Sequence, residues 1–378
     1  MRRGRIVVVA AMITAATPLI GLLGGTSAHA AGNTRKVAPT GTDAGNCKFA
    51  PCATINYALS VSLPYDTITV AAGTYNQTVD IEKPINLVGA GASTTTIDGT
   101  SLDPSMGTDN PYGVIYVGTT GGSVSITGFT VTNPAPMAFT SGEPMLVALR
   151  DTKSTDAVTL TKNILTEGGS DANAPTDFPI GIDTFDNAAQ TTITSNTISG
   201  TFQGAVFENN GPVAFNNNTI SSLIAGTDNS TSPSKLYAAE GALFVSNQAG
   251  ALTLQQAQAN TLQNYGGFGL IMQSAFNCQT PPCNGSISGS FVNNSITLTP
   301  GVFGTYGMVF DSAFSGNALG AAAKGNKGSV RGPSVPELVQ ATSGGTLSVQ
   351  EGGNNITTLG TGSGSSGTLA RIHLPNLS

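Results

Sequence analysis

Polar side chains that could take part in acid–base or ligand chemistry recur at one place in the sequence, directly after short apolar runs that begin with Gly. Gly204–Phe207 and Gly307–Phe310 are two such runs. If each run is a strand of one parallel sheet, equivalent residues lie about 4.8 Å apart along the stack. The sequence therefore predicts a ridge or groove that binds a ligand, lined by Arg150, Asp151, Asp186, Glu208, Gln273 and Asp311.

Asp186 and Glu208 follow successive runs, so they are expected on neighbouring strands. Two carboxylates at that distance raise the pKa of one of them or attract a cation. A separation of about 5 Å is also that of the two carboxyl groups in retaining glycosidases. With Arg150, they are the weak catalytic candidates of the chain. The alternative is that both carboxylates only end strands at a solvated turn.

The region around the first of these carboxylates is acidic, with aspartates at 171, 177, 183 and 186. Their spacing does not match an EF-hand loop. Asp183, Asp186 and Glu208 are the candidate ligands for a calcium ion, which is the only cofactor that the sequence suggests. Because it is a candidate calcium ligand, Asp183 is also included among the candidate binding residues.

The first 30 residues have the features of a secretory signal peptide: Arg2, Arg3 and Arg5, an apolar run over 6–23, and Ala-His-Ala at 28–30. Its removal would leave a single histidine, His373, which disfavours a His-based metal site or triad. The sequence also has no Trp. We expect a secreted, extracellular protein without a membrane anchor.

After that removal, 12 basic residues would face 21 acidic ones, for a net charge of −9. A nucleic-acid-binding protein needs a basic surface, so we expect no nucleic-acid partner. In an oxidising compartment the four cysteines predict two local disulfides, Cys47–Cys52 and Cys278–Cys283. Pairing between the two sites is the alternative.

Internal repetition is the strongest signal of fold class. Short β-type runs end in Asn, a small polar residue and an aliphatic one. The spacings between the equivalent positions are 34, 33, 22, 42 and 34 residues, for Phe129, Asn163, Asn196, Asn218, Asn260 and Asn294. The runs that end in Asn alternate with the Gly-apolar runs. This alternation indicates stacked coils of a single-stranded parallel β-helix, an all-β solenoid. We expect the asparagines to form a hydrogen-bonded ladder at a bend between sheets.

A solenoid needs its ends capped. The segment Thr54–Leu59 has apolar residues at 55, 58 and 59 and predicts a short amphipathic helix over the first coil. The stretch that follows, through DTITVAAGTYNQTVDIEKPINLVGAG to TTTIDG, resembles the opening of the pectin-lyase-like, right-handed parallel β-helix superfamily. The resemblance covers residues 51–99 and continues as generic repeats to about residue 312.

Together with these features, the resemblance predicts four parts: a signal peptide over 1–30, an N-terminal cap over 31–62, a right-handed β-helix over 63–312, and a Gly/Ser-rich C-terminal coil and tail over 313–378. The motifs that carry catalysis in the superfamily's methylesterases, polygalacturonases and pectate lyases do not occur in this chain. The resemblance therefore implies the fold without the chemistry.

We expect a monomeric, secreted, non-catalytic β-helix protein that presents an extended surface to extracellular polysaccharides, cell-surface glycans or other envelope components. The alternative is an extracellular polysaccharide lyase or glycoside hydrolase that acts on uronans. The two differ in whether Arg150, Asp186 and Glu208 converge in a groove or point into solvent.

Overall fold

A computed structural model describes residues 32–99, 113–118, 120–133, 145–150, 156–167, 176–185, 190–208, 211–228, 235–246, 251–274, 285–299, 305–313, 318–331, 334–342 and 346–359. These residues belong to one compact unit, Ala31–Ser378. Three long sheets with parallel strand pairs run along it, and the chain visits them in the same order in every coil. The protein is a right-handed parallel β-helix, as the sequence predicted.

The sheets contain eleven, ten and nine strands, and the chain passes through them in that order. The eleven-stranded sheet comprises Thr34–Val37, Thr67–Val70, Asn86–Gly89, Val124–Thr127, Ala157–Thr161, Gln190–Thr194, Val213–Asn216, Ala251–Gln258, Ser286–Val292, Ala318–Lys324 and Thr346–Gly352. The ten-stranded sheet comprises Gly73–Asn76, Thr95–Asp98, Thr130–Asn133, Ile164–Glu167, Thr197–Ser199, Thr219–Ser221, Thr261–Gln263, Ser295–Leu298, Lys327–Arg331 and Asn355–Leu359. The nine-stranded sheet comprises Val79–Ile81, Gly113–Val117, Met145–Arg150, Ile180–Phe185, Gln203–Glu208, Ala239–Ser246, Gly267–Ser274, Thr305–Ala313 and Ser334–Thr342.

A fourth, small antiparallel sheet lies outside the coils and consists of Thr176–Asp177, Gly226–Asp228 and Lys235–Tyr237. It adjoins an aromatic cluster in which the Phe178 ring lies 5.1 Å from that of Phe202 and 5.3 Å from that of Tyr237. Such edge-on contacts are typical of buried aromatic pairs. The cluster anchors this sheet beside the start of two strands of the nine-stranded sheet.

The interior of the helix consists of aliphatic columns in which each side chain rests on its copy in the next coil. One column runs along the ten-stranded sheet through Ile198, Ile220, Leu262 and Ile296, all fully buried. It faces glycines of the nine-stranded sheet, and a Cβ placed at Gly204 would lie 3.0 Å from Ile220 Cγ2. The Gly that opens each Gly-apolar run therefore makes room for this column.

The expected asparagine ladder is confirmed and is longer than predicted. The Nδ2 of each Asn donates to the Oδ1 of the next, with distances between 2.8 and 3.2 Å, through Asn163, Asn196, Asn218, Asn260, Asn294, Asn326 and Asn354. The same Oδ1 also accepts the backbone N–H of the preceding Asn, as Asn218 does for Asn196 at 3.0 Å. Each ladder position therefore satisfies backbone and side-chain groups of two coils.

The unusual backbone angles of this bend do not belong to the ladder asparagines. The positive φ belongs to the residue before each Asn: Lys162, Ser195, Asn217, Ala259 and Asn293, with φ between 53° and 58°. Glycine occupies the same place at Gly128, Gly325 and Gly353. The left-handed residue turns the chain, and the Asn that follows fixes the turn by hydrogen bonds.

The N-terminal cap is confirmed as well. The helix Ile55–Ser60 begins after Thr54, whose side chain accepts the N–H of Tyr57, and it buries its three apolar residues against the first coil. A disulfide joins Cys47 to Cys52 and holds this loop against the first strand, where Val37 pairs with Cys52. Cys278 and Cys283 lie outside the described residues, so their pairing stays a prediction.

Residue 312 lies within the strand Thr305–Ala313, and the three sheets continue past it to Leu359. The strands Thr346–Gly352 and Asn355–Leu359, which lie in the segment expected to form a C-terminal coil, thus belong to the same helix. Among the described residues, no helix combines the length and the apolar character needed to cross a bilayer.

Candidate functional site

The predicted row of polar side chains lies on the outer face of the nine-stranded sheet. In the register of that sheet, Glu208 pairs with Val245, Val245 with Gln273, and Gln273 with Asp311. At the other end of the row, Arg150 pairs with Phe185, which precedes Glu208 by one coil. The structure therefore brings Arg150, Glu208, Gln273 and Asp311 into one row across successive coils.

The pairing of Asp186 with Glu208 is not what the register implies. Thr184 pairs with Phe207, so residue 185 rather than 186 lies level with Glu208. Asp151 and Asp186 themselves lie outside the described residues. Asp183 belongs to a neighbouring row, because it pairs with Ala148 on one side and Val206 on the other.

The described polar side chains of this row are buried, which for Glu208 contradicts the alternative of a strand that ends at a solvated turn. Asp183 is completely buried, Glu208 is 3% exposed, and Arg150 is 5% exposed. Gln273 and Asp311 are also buried, as are apolar residues of the neighbouring row, including Val206 and Leu243. These apolar residues form a second core cluster, separate from the interior of the helix. Among the described residues of this row, no carboxylate is exposed to solvent.

One feature of the sequence does predict this burial. A strand with one solvated face alternates apolar and polar residues, whereas a strand buried on both faces reads as a continuous apolar run. Leu243-Phe244-Val245, Leu270-Ile271-Met272 and Met308-Val309-Phe310 are such runs. Carboxylates at the ends of these strands should therefore have been expected in an apolar setting.

Arg150 and Asp183 form a buried ion pair at this face, with Nη2 of Arg150 2.5 Å from Oδ2 of Asp183. The guanidinium also lies over the ring of Phe185, at 5.2 Å from its centroid, and contacts Sδ of Met145. Its Nε and Nη1 have no acceptor among the described residues. The pair holds two charges in an apolar environment, where each depends on the other.

Burial raises the pKa of Asp183 above its ordinary value, and the Arg150 guanidinium and the Thr184 N–H oppose this shift only in part. A carboxyl group in this setting gives up its proton reluctantly because its charged form loses solvation.

One polar pair that the repeat pattern did not indicate lies on the same face. Nε2 of Gln203 donates to Oε2 of Glu240 at 2.7 Å, and both side chains are buried. A second pair on this face joins Nε2 of Gln273 to Oδ2 of Asp311 at 3.1 Å, and both of these residues were predicted in the row. Gln203 and Glu240 stand before the Gly of their runs, so a search at the ends of the runs does not find them.

Nowhere in the described ranges do three or more His, Cys, Asp or Glu side chains gather closely enough to hold a metal ion. Of the expected calcium ligands, Asp183 forms an ion pair with Arg150. Glu208 lies on the next strand, two residues beyond Val206, which pairs with Asp183. Asp186 is not described. Calcium at Asp183, Asp186 and Glu208 stays a prediction.

We expect Arg150→Met to lower the free energy of unfolding by about 3 kcal/mol, because it leaves the Asp183 carboxyl buried without its counter-ion. The double variant Arg150→Met/Asp183→Leu should recover most of that loss, since no buried charge remains. Urea denaturation of both variants measures the coupling. Additive losses in the double variant would show that the two side chains do not stabilise one another.

The outer face of the ten-stranded sheet differs from that of the nine-stranded sheet, because its side chains are partly exposed. Two rows of partly exposed side chains run along it in register. The first row contains Thr96, Thr130, Ile164, Thr197, Thr219, Thr261 and Ser295. The second contains Asp98, Thr132, Thr166, Ser199, Ser221, Gln263, Thr297 and Ser329. Between Thr130 and Thr297 neither row has a charged residue.

Buried side chains of the same strands fix the position of the two rows. Every second residue of these strands points inward and is fully or almost fully buried, as Val131, Leu165 and Ile198 are. Hydroxyl groups of adjacent coils also bond to each other, with Ser199 Oγ donating to Thr166 Oγ1 at 3.2 Å. The result is a rigid, uncharged face with hydroxyl groups repeated at each coil.

No family model matches the sequence, and a search of curated proteins finds no match. Solved structures do resemble it. Pectin methylesterase PemA from Erwinia chrysanthemi shares 14% identity, with a TM-score of 0.45 over 71% of this chain and 80% of that one. Pectin methylesterase from carrot shares 12% identity, with a TM-score of 0.42 over 85% and 89%. An alginate lyase from Paenibacillus shares 14% identity, with a TM-score of 0.38 over 83% and 99%.

At these identities, a likeness extends to the fold and not to the chemistry. The stacked parallel sheets, the asparagine ladder and the capping helix establish that fold in the chain itself. The protein has the right-handed parallel β-helix fold that the sequence of its first coils indicated.

Proposed function

We propose that this protein binds extended polysaccharides without cleaving them, with the outer face of the ten-stranded sheet as its contact surface. The observation that carries the proposal is the pair of uncharged, in-register hydroxyl rows on that face. Polysaccharides are the ligands that the resemblance of residues 51–99 implies. The signal peptide expected over residues 1–30 and the Cys47–Cys52 disulfide support a location outside the cell.

Hydroxyl and amide side chains both donate and accept hydrogen bonds, as sugar hydroxyls do. The first row extends over seven strands, or about 29 Å at the strand spacing of a parallel sheet. A linear polymer that lies along the helix axis would meet a hydroxyl group of one row or the other at each coil. Contacts that are weak singly then add up along one chain, as in multivalent binding.

The rigidity of the face favours binding in a second way. Ordering mobile side chains on binding costs about 0.5–1.5 kcal/mol for each one that is immobilised. Thr and Ser have short side chains, and the buried aliphatic columns fix the strands that carry them. Little conformational freedom remains to be lost when a ligand binds.

The part of the proposal that excludes cleavage depends on three buried carboxylates. A general acid or base must reach the proton that it transfers, directly or through one water. Asp183 is fully buried and paired with Arg150, and Glu208 and Asp311 are nearly inaccessible. The exposed hydroxyl face, in contrast, offers no titratable group between Thr130 and Thr297.

The test compares matched variants on two faces. Thr166→Val/Ser199→Ala removes hydroxyls from the ten-stranded sheet, and Thr161→Val/Thr194→Val does so on the eleven-stranded sheet. A glycan array selects the ligand, and titration calorimetry measures the two affinities. We expect the first variant to lose about tenfold in affinity and the second to stay within about twofold, because lost hydrogen bonds of this kind contribute about 1 kcal/mol.

Equal losses on both faces, or none, would contradict the placement of the binding surface. The proposal of binding without cleavage has its own test. The purified protein is incubated with pectate and other uronans, with and without calcium, and the absorbance of unsaturated products is followed. We expect no rise, and a rise would identify a lyase instead.

A further inference from the structure

The C-terminal end of the helix leaves an open edge on each sheet. The strands Ser334–Thr342, Thr346–Gly352 and Asn355–Leu359 are the last of the three sheets, and among the described residues no strand pairs with their outer edges. At the other end, the helix Ile55–Ser60 covers the first coil. Solenoids need a cap at both ends, because open strand edges pair readily with other chains. Residues 360–378 follow the last coil directly and lie outside the described residues.

A carboxylate at this open edge lacks a counter-ion. Glu337 belongs to the strand Ser334–Thr342 and points to the interior, because it pairs with Met308 of the hydrophobic core. Oε1 of Glu337 is buried and has no hydrogen-bond partner among the described residues. Burial, together with the nearby charge of Glu351, raises the pKa of Glu337 to about 7. A cationic side chain on a further coil would therefore stabilise this end of the helix.

The order of the sheets leads the chain back to this edge. In every coil the ten-stranded sheet is followed by the nine-stranded sheet, so a strand that comes after Asn355–Leu359 would pair with Ser334–Thr342. In earlier coils this connection has between two residues, at 332–333, and 17, at 222–238. The nine residues 360–368, mostly Gly and Ser, fall within this range. A strand that begins directly after them would reach the open edge.

The sequence after this connection follows the pattern of the nine-stranded sheet. In the run Tyr306-Gly307-Met308-Val309, the first and fourth residues belong to the apolar cluster on the outer face, and the third points inward. The run Leu369-Ala370-Arg371-Ile372 has apolar residues at the same two positions and a small residue after the first. Aligning the two runs places Leu369 and Ile372 in apolar outer rows and Arg371 in the inward row.

This register provides partners for two side chains of the open edge. Glu337 and Leu338 occupy the inward and the outer row of the strand Ser334–Thr342. Arg371 would lie next to Glu337, about 4.8 Å away along the stack. A guanidinium group can form two hydrogen bonds to one carboxylate. Ile372 would lie next to Leu338, which is only partly buried against the outer cluster. A register shifted by two residues would instead place Arg371 in an apolar outer row.

We propose that residues 369–374 form a further strand of the nine-stranded sheet, paired in parallel with Ser334–Thr342, and that Arg371 neutralises Glu337 across this pair. The strand ends at Pro375, which has no N–H to donate and is typical of sheet edges. Inward charges and an edge proline both keep a terminal strand from pairing with other chains. The C-terminal segment thus closes the end of the helix that the helix Ile55–Ser60 does not cover.

Disulfide cross-linking of the full chain tests the register. Leu338→Cys/Ile372→Cys places two sulfur atoms on the same face of neighbouring strands, at a Cα separation of about 4.8 Å that a disulfide can span. The matched control Leu338→Cys/His373→Cys places them on opposite faces. After oxidation, peptide mapping without reduction measures the fraction of linked pairs. We expect at least about fivefold more linkage in the first variant than in the control.

Hydrogen exchange tests the ion pair. We expect Arg371→Glu to accelerate the exchange of the amides of residues 369–374 by about tenfold or more, because a carboxylate replaces the counter-ion of Glu337. Glu337→Arg/Arg371→Glu restores opposite charges and should return these rates to within about threefold of those of the unmodified protein. The control Lys324→Glu makes the same change of charge at an exposed position one coil earlier and should leave the rates unchanged.

Equal linkage in the two cysteine variants would mean that the C-terminal segment meets this edge without a fixed register, and no linkage in either would mean that it lies elsewhere. Either result overturns the proposed strand. Exchange that Arg371→Glu does not accelerate, that the charge-reversed pair does not restore, or that Lys324→Glu accelerates equally would overturn the ion pair. None of these measurements involves a glycan, so they test this inference separately from the proposed function.

Discussion

Replacing Ile220 with Asp is expected to lower the free energy of unfolding by about 5 kcal/mol, because it places a carboxylate where no partner can reach it. Ile220 is fully buried, with Ile198 on the coil before it and Leu262 on the coil after it. Its Cγ2 also faces the backbone of Gly204. Globular domains have a total stability of about 5–15 kcal/mol, so the loss is large enough to leave part of the protein unfolded. Thermal and urea denaturation measure it.

The matched control is Ser221→Asp, one residue further along the same strand. Ser221 points to the outer face and is partly exposed, so the same new charge remains in water and the cost should stay within about 0.5 kcal/mol. If both variants unfolded with equal ease, the inward and outward assignment of this strand would be wrong. The exposed rows proposed to bind glycans depend on the same assignment.

Removing one asparagine from the middle of the ladder is the second large effect. In Asn218→Ala, the Oδ1 that accepts both the N–H and the Nδ2 of Asn196 is lost. The Nδ2 of Asn218, which bonds to Ile193 O and to Asn260 Oδ1, is lost as well. Each buried group left unpaired costs about 1–3 kcal/mol, so we expect a total loss of about 4 kcal/mol. Urea denaturation measures the change.

Asn86→Ala serves as the control, since Asn86 is exposed on the eleven-stranded sheet and lies outside the ladder. We expect it to change the free energy of unfolding by less than about 0.5 kcal/mol. Similar values for the two variants would mean that the ladder adds little to stability. Hydrogen exchange of the amides of Asn196 and Asn218 then distinguishes a local opening from global unfolding.

The coils could be predicted from sequence because the interactions that define them repeat. Asn196, Asn218 and Asn294 each stand before a small polar and an aliphatic residue, so the pattern identifies the bend even though the coils differ in length. The left-handed residue could not be predicted in the same way. Lys162, Ser195 and Ala259 share no side-chain property, and the geometry of the corner imposes their conformation.

The candidate site was predicted less well than the coils, because repeat spacing does not determine burial or the contacts between rows. The sequence places Arg150, Glu208, Gln273 and Asp311 at equivalent positions, and the register agrees. The spacing of the repeats does not indicate whether the outer face of a sheet meets water, which the continuous apolar runs of these strands do indicate. The ion pair of Arg150 with Asp183 joins residues on different rows, so repeat spacing alone could not identify it.

The corner that carries the ladder also constrains how such a chain can change in length during evolution. From Val124 onward, two residues connect each strand of the eleven-stranded sheet to the next strand of the ten-stranded sheet. An insertion there would move an Asn out of line and leave its neighbours in two coils without partners. The connections to the nine-stranded sheet carry no such constraint, and the spacing between ladder positions varies from 22 to 42 residues because of them. New segments can therefore be gained or lost on one side of the molecule while the opposite corner keeps a constant length.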